Sequence, residues 1–205
     1  YGAQFVTIDL DDDGMCTDQL EDILREHQPK FIYALPNFHN PAGVTMSWDP
    51  RSGGEQLATS YSIAILEDDP YGQLRYEGDD IPPLVALDAA SNNGPGEKYL
   101  RGNVIYAGTF SKILAPGLRL GWIVAPPDVA RRLVMAKQGA DLHTCSLSQA
   151  IAYGYCQRGL LPGQVQRILD TYRLRRDAML EALEEYFPPG VHWTHPEGGL
   201  FLWVT

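Results

Sequence analysis

From Phe5 to Leu10 apolar and polar residues alternate with a period of two, which predicts a strand, and the acidic run Asp11-Asp12-Asp13-Gly14 then turns the chain. Thr17 or Asp18 can cap a helix whose apolar positions Leu20, Ile23 and Leu24 carry it to about His27, with Pro29 behind it. Lys30 to Leu35 reads as a strand entering a turn rich in Pro and Asn. A helix is predicted over roughly 49–61, weakened by Gly53-Gly54, since each glycine costs about 1 kcal/mol relative to alanine. Ser62 to Glu67 has the run of a buried strand and ends in Asp68-Asp69-Pro70-Tyr71. Between Gly78 and Gly102 the frequency of Pro, Gly, Asn and Asp predicts mostly loop.

Strands follow at about 103–108 and 121–125. Pro127 and Asp128 start a helix carrying Val129, Leu133, Val134 and Ala136, and another covers about 146–158. Pro162 opens a long amphipathic helix with Val165, Ile168, Leu169, Tyr172, Leu180, Leu183 and Phe187 on one side, ending at Pro188-Pro189-Gly190. Strand and helix alternate over the first two-thirds, which predicts α/β layers with a largely parallel sheet. A boundary at the long helix separates 1–163 from 164–205, where the closing run Gly198 to Thr205 reads as a strand of a second lobe. That run stops without a turn residue and the chain opens at Tyr1, so the sequence reads as part of a longer polypeptide.

The formal net charge of −10 argues against a general nucleic-acid binder, which needs clustered Lys and Arg, but leaves room for an anion held locally by one arginine. Cys16, Cys145 and Cys156 are odd in number and lack CxxC spacing. They predict neither a disulfide framework nor a zinc site, and they fit a reducing, cytoplasmic setting. No apolar run approaches membrane-spanning length, and no basic-then-apolar leader is seen.

Candidate chemistry concentrates in Gly108-Thr109-Phe110-Ser111-Lys112-Ile113-Leu114-Ala115-Pro116-Gly117-Leu118-Arg119-Leu120-Gly121. Lys112 follows a predicted strand, and ligands of open α/β sheets bind at the strands' carboxyl edge. A lysine there can form a Schiff base with a carbonyl cofactor, and the planar fork of Arg119 matches a phosphate. Pyridoxal phosphate carries both groups. Taken alone, the segment is equally a solvated lysine in a glycine-rich turn.

Two other strand ends carry polar cargo. Pro36-Asn37-Phe38-His39-Asn40-Pro41-Ala42-Gly43 is by itself an ordinary Asn-Pro turn, and Glu67-Asp68-Asp69-Pro70-Tyr71-Gly72 an acidic loop for a divalent metal or water. In a parallel sheet, however, Asn40, Asp68, Tyr71 and Lys112 gather along one edge. A pyridoxal ring needs this set. A carboxylate beside the pyridine nitrogen keeps it protonated, and donors such as Tyr71 and Asn40 stabilise the 3-oxygen. Thr109, Ser111 and Arg119 would hold the phosphate through charge-assisted hydrogen bonds.

The series PNFHNPAG, EDDPYG and TFSKILAPGLRLG resembles the fold-type-I pyridoxal phosphate enzymes, specifically the class I/II aminotransferase family. Within it the wording is most similar to the branch of 2-aminoadipate and kynurenine aminotransferases, over essentially the whole chain. The resemblance implies a mostly parallel sheet sandwiched by helices in three layers, with the start of a smaller α+β carboxyl-terminal domain. It matches Lys112 to the Schiff-base lysine, Asp68 to the carboxylate on the pyridine nitrogen, Tyr71 and Asn40 to the 3-oxygen, and Thr109 and Arg119 to the phosphate. Ser111 takes a lesser role beside the lysine. The choice of Asp68 over Asp69 rests on the family's D-x-x-Y spacing to Tyr71.

The implied reaction moves an amino group from an amino acid to a 2-oxo acid, with the Lys112 amine as general base. The family also uses an upstream phosphate loop, an aromatic residue stacked on the ring, a downstream arginine for the substrate carboxylate, and residues of a homodimer partner. None of these is placed in this sequence, so the chain by itself is expected to be inactive. Rival readings on the same residues are the effector domain of a GntR-type transcription regulator, a β-eliminating lyase, and an interaction domain that has lost its cofactor. His39 and His143 read as structural, Trp122 and Trp203 as core or interface aromatics, and Tyr172, Arg173, Arg175 and Arg176 as a solvated face or salt-bridge network.

Overall fold

The computed structural model describes residues 2–205. A four-stranded sheet organises the chain, in the order β3 (Phe31–Ala34), β4 (Ala64–Asp68), β5 (Val104–Thr109), β6 (Gly121–Val124). The first three strands are parallel and β6 returns antiparallel to β5. A two-stranded hairpin, β1 (Leu10–Asp11) with β2 (Gly14–Met15), precedes them.

Helices α1 (Leu20–His27), α2 (Trp48–Ser60) and α3 (Leu84–Asn92) lie between the strands. Ala34, Ile65 and Val104 pack with Ala58 of α2 and Leu84 of α3 to form one core cluster. Residues two apart on a strand share a face, so Glu67 joins Ile65 on this covered side while Tyr33, Leu66 and Asp68 share the other. Phe31 and Tyr33 are exposed there.

The carboxyl-terminal third holds α4 (Pro127–Ala140), α5 (Ser146–Gln157) and the 26-residue α6 (Leu161–Tyr186). Helix α6 lays Val165, Ile168 and Leu169 against a second cluster of Phe38, Tyr71, Leu74 and Ile113, which Leu200 and Phe201 complete. This cluster lies directly under the loops at the sheet's carboxyl edge. Among the described residues no helix is long and apolar enough to cross a membrane.

Three expectations are corrected. Residues 78–102 are mostly loop, as predicted, but they also hold the nine-residue helix α3. Its first two free N–H groups, on Leu84 and Val85, bond the Glu67 carboxylate at 2.8 and 2.9 Å, a cap supplied from 17 and 18 positions away. The predicted strand from Phe5 to Leu10 shrinks to Leu10–Asp11, since alternation forms no ladder without a partner strand. The run Gly198 to Thr205 is not a strand; it makes only single bridges, Gly198 to Arg75 and Val204 to Trp193. Helix α1 begins after Gln19 without a side-chain cap from Thr17 or Asp18. Helix α2 forms despite Gly53-Gly54 because its inner face, Arg51, Gly54, Glu55 and Ala58, is buried, and burial outweighs glycine's low propensity.

Candidate active site

The site is built at the carboxyl ends of β3, β4 and β5. Strands β4 and β5 are in register with Asp68 beside Ala107, so Asp68 and the Lys112 loop leave the sheet from neighbouring strands. The loop after β3 brings Asn40 to the same edge. The Tyr71 phenol is buried, and burial pushes its pKa up. The charge of Asp68 adds to that rise, while a hydrogen bond from the Asn40 side chain opposes it. Tyr71 therefore neighbours both Asn40 and Asp68.

The two adjacent aspartates have different surroundings. Asp69 is saturated: its Oδ1 accepts from Asn37 Nδ2 at 2.9 Å and Gly72 N at 2.8 Å, and its Oδ2 from the Tyr106 hydroxyl at 3.1 Å. Asp68 faces the opposite side and accepts the Tyr33 hydroxyl on Oδ2 at 2.7 Å, leaving Oδ1 open to another donor. The parity of the strand produces this division. Tyr33 pairs with Leu66 and reaches diagonally to Asp68; Tyr106 pairs with Glu67 and reaches diagonally to Asp69.

Behind the β3 loop, Arg51 is 0 % exposed. Its guanidinium donates to the carbonyls of Pro36, Met46, Ile81 and Pro82 and to Asn37 Oδ1. Arg51, Asn37 and Asp69 thus form one chain of hydrogen bonds joining the loops that carry Asn40 and Tyr71. The loop after β3 is further packed by Phe38, whose backbone is left-handed (φ +48°) and whose ring lies 4.9 Å from the Arg75 guanidinium carbon. Tyr71 meets the edge of Phe201 at 5.5 Å between centroids.

Lys112 and Arg119 share the connection between β5 and β6. Phe110 N bonds Leu120 O at 3.1 Å, and Thr109 Oγ1 donates to the same carbonyl at 3.0 Å. Ser111 N donates back to Thr109 Oγ1 at 3.0 Å. The proton of the Thr109 hydroxyl is thereby committed to closing the loop. A 3₁₀ turn, Pro116–Leu118, ends at Arg119, whose left-handed backbone (φ +55°) and Nη1 bond to Pro116 O leave the rest of its fork exposed. Gly108 packs against the Trp122 indole with no room for a Cβ, and Phe110 lies 5.0 Å from that ring.

Sequence reasoning passed over Tyr33, Tyr106, Asn37, Arg51 and Glu67. The strand register could have flagged the two tyrosines, since each lies two positions short of an aspartate on the neighbouring strand. Nothing local marks Arg51, which sits in a polar helical stretch. The arginine cluster of α6 is an ion-pair and packing network: Arg176 pairs with Glu77 and Asp177, Arg173 bonds Tyr76 O at 2.6 Å, and Arg175 stacks on Tyr172. His39 Nδ1 is buried without a partner among the described residues, and His143 Nδ1 contacts Thr144 O at 2.9 Å.

Comparison with known proteins gives a consistent picture. A family model described as aminotransferase class I and II matches residues 1–205. The aromatic-amino-acid aminotransferase 1 of Thermococcus litoralis is 48% identical over 100% of this chain and 48% of its own length. The crystal structure of Pyrococcus horikoshii kynurenine aminotransferase in complex with PMP superposes with a TM-score of 0.90 at 47% identity, covering 98% of this chain and 48% of that one. That of α-aminoadipate aminotransferase from Thermus thermophilus, with N-(5'-phosphopyridoxyl)-L-leucine, gives 0.89 at 36% identity, covering 98% and 49%. The chain spans about half the length of the relatives it matches, and over that half its sheet and helices follow the fold-type-I aminotransferase pattern. With the family model matched from end to end and the three strand-end loops in place, the chain belongs to the class I and II aminotransferases.

Proposed function

We propose that this chain is the lysine-bearing part of a pyridoxal phosphate-dependent aminotransferase that exchanges an amino group between an amino acid and a 2-oxo acid. One observation carries the reading. Three successive parallel strands deliver Asn40, then Asp68 with Tyr71, then Lys112 to a single sheet edge. The likeness to aminotransferases over the whole chain supports it.

The donor set fits the cofactor. Asp68 keeps one carboxylate oxygen free for a protonated ring nitrogen, while Asp69 is fully engaged elsewhere. Tyr71 and Asn40, neighbours at this edge, are suited to the ring's 3-oxygen. The exposed part of the Arg119 fork and the hydroxyls of Ser111 and Thr109 suit the phosphate, with Thr109 exchanging its bond to Leu120 for one to the anion. When bound, the cofactor supplies an electron sink for the pair left at the substrate's α-carbon. Lys112 Nζ would carry the cofactor covalently and, once freed, would serve as the base for the substrate's α-proton. Asp68 would pair with the protonated ring nitrogen, and Tyr71 would stabilise the 3-oxygen.

The test is Lys112→Ala in a protein carrying this chain. The variant is expected to lose the visible absorbance of the bound cofactor and transamination together, and retained activity would sink the assignment. A screen of amino acids for single-turnover conversion separates the rivals: release of 2-oxo acid with the amino group kept on the cofactor marks a transaminase, loss of a β-substituent with free ammonia a lyase, and no turnover an effector-binding regulator. The reading extends to a homodimer in the cytoplasm, the latter supported by three free cysteines.

A further inference from the structure

We propose that Tyr33 is a positioning residue for Asp68, fixing the orientation of the carboxylate that would meet the ring nitrogen of the cofactor. The inference rests on the function proposed above and goes beyond the residues assigned there. The Tyr33 hydroxyl donates to Asp68 Oδ2 at 2.7 Å, the short distance of a charge-assisted O–H···O⁻ bond. It arises from strand register. Tyr33 stands opposite Leu66, and Asp68 is two residues farther along the same face of β4. A phenol is long enough to span that diagonal, whereas a serine or threonine at position 33 would fall short.

The bond has a chemical consequence. A donor on Oδ2 occupies that oxygen and leaves Oδ1 as the one that would meet a pyridine nitrogen. The donor also removes rotational freedom from the Asp68 side chain. Desolvation of the hydroxyl where it meets Asp68, together with the bond to that carboxylate and its charge, holds the Tyr33 phenol above its ordinary pKa although the residue is largely exposed, so it stays a donor at physiological pH. Tyr106 and Asp69 make the mirror arrangement on the opposite face, where two further donors turn the aspartate to a structural role.

The experiment uses a protein carrying this chain, loaded with pyridoxal phosphate, and a double-mutant cycle of Tyr33→Phe and Asp68→Asn. Cofactor retention is measured by dialysis and the visible absorbance of the bound form is recorded. Tyr33→Phe keeps the ring and is expected to weaken retention about tenfold and to shift the absorbance band, as loss of a hydrogen bond to a charged group does. In the Asp68→Asn background the same change should add no more than about twofold, because the acceptor is no longer charged. The proposal is overturned if Tyr33→Phe retains cofactor like the parent, or if its effect is undiminished in the Asp68→Asn background. A parent protein that binds no cofactor gives a different result: it removes the proposed function, and this inference with it.

Discussion

The carboxamide of Asn37 donates to the carboxylate of Asp69 at 2.9 Å and so ties the loop after β3 to the loop after β4. The same carboxamide accepts from buried Arg51 at 2.9 Å, which makes the guanidinium the foundation of both loops. Replacing Arg51 with Met leaves the carbonyls of Pro36, Met46, Ile81 and Pro82 and the Asn37 oxygen without their donor. A loss of about 3 kcal/mol or more is expected, read by urea unfolding of the cofactor-free protein. A variant as stable as the parent would show that these acceptors find other partners.

Asp68 and Asp69 should respond oppositely to alanine. Asp69→Ala strands three donors, from Asn37, Gly72 and Tyr106, and is expected to cost about 2–4 kcal/mol of folding stability. Asp68→Ala releases only the exposed Tyr33 hydroxyl and should cost less than about 1 kcal/mol, yet abolish tight cofactor retention. Parallel denaturation and dialysis experiments check the pair. The reverse ranking would hand the ring nitrogen to Asp69.

Glu67 predicts a pH dependence. It is 0 % exposed, and burial raises its pKa from the ordinary 4.5 to about 7, against the opposing bonds from Leu84 and Val85. The folded chain therefore holds a proton at pH values where the unfolded chain has lost it. The stability that this group contributes is full below about pH 4.5 and falls as the pH rises through about 7, by roughly 3 kcal/mol in all. Glu67→Gln should flatten that stretch of the stability–pH curve. An unchanged slope would place the titration on other groups.

Gly198 has no room for a side chain, since a Cβ there would strike the Leu74 carbonyl and the Phe38 ring. Its neighbour Gly199 has a left-handed backbone (φ +72°). Gly198→Ala is expected to destabilise the protein by about 1–3 kcal/mol by overpacking and to loosen the Phe38 loop that leads to Asn40. Thermal unfolding and faster proteolysis of that loop would report both effects.

What the sequence made legible was local. The strands at 31–34, 64–68 and 104–109 followed from apolar runs, and the polar loops behind them from Asn, Pro, Asp and Gly. What it concealed were long-range bonds. Helix α3 depends on a glutamate from β4, and the buried carboxylate of Asp88 bonds Asn103 N and Val104 N at the start of β5. No window of adjacent residues contains both partners of either contact. The roles of Tyr33 and Tyr106 needed the register between strands, which hydrophobic periodicity does not fix. The closing run from Gly198 to Thr205 shows the converse: strand-like composition that, among the described residues, pairs only briefly, with Arg75 and with residues 192–194.

The connection between β5 and β6 is a loop fastened at its own base by the bond from Phe110 to Leu120. The residues proposed to hold the aldehyde carbon and the phosphate of one small molecule, Lys112 and Arg119, both lie inside that closed ring of chain. Its length therefore serves as a ruler for the ligand. Insertions or deletions should be tolerated in the exposed stretch around Gly94–Gly96, whereas one residue gained or lost between Phe110 and Leu120 should put the ruler out of scale.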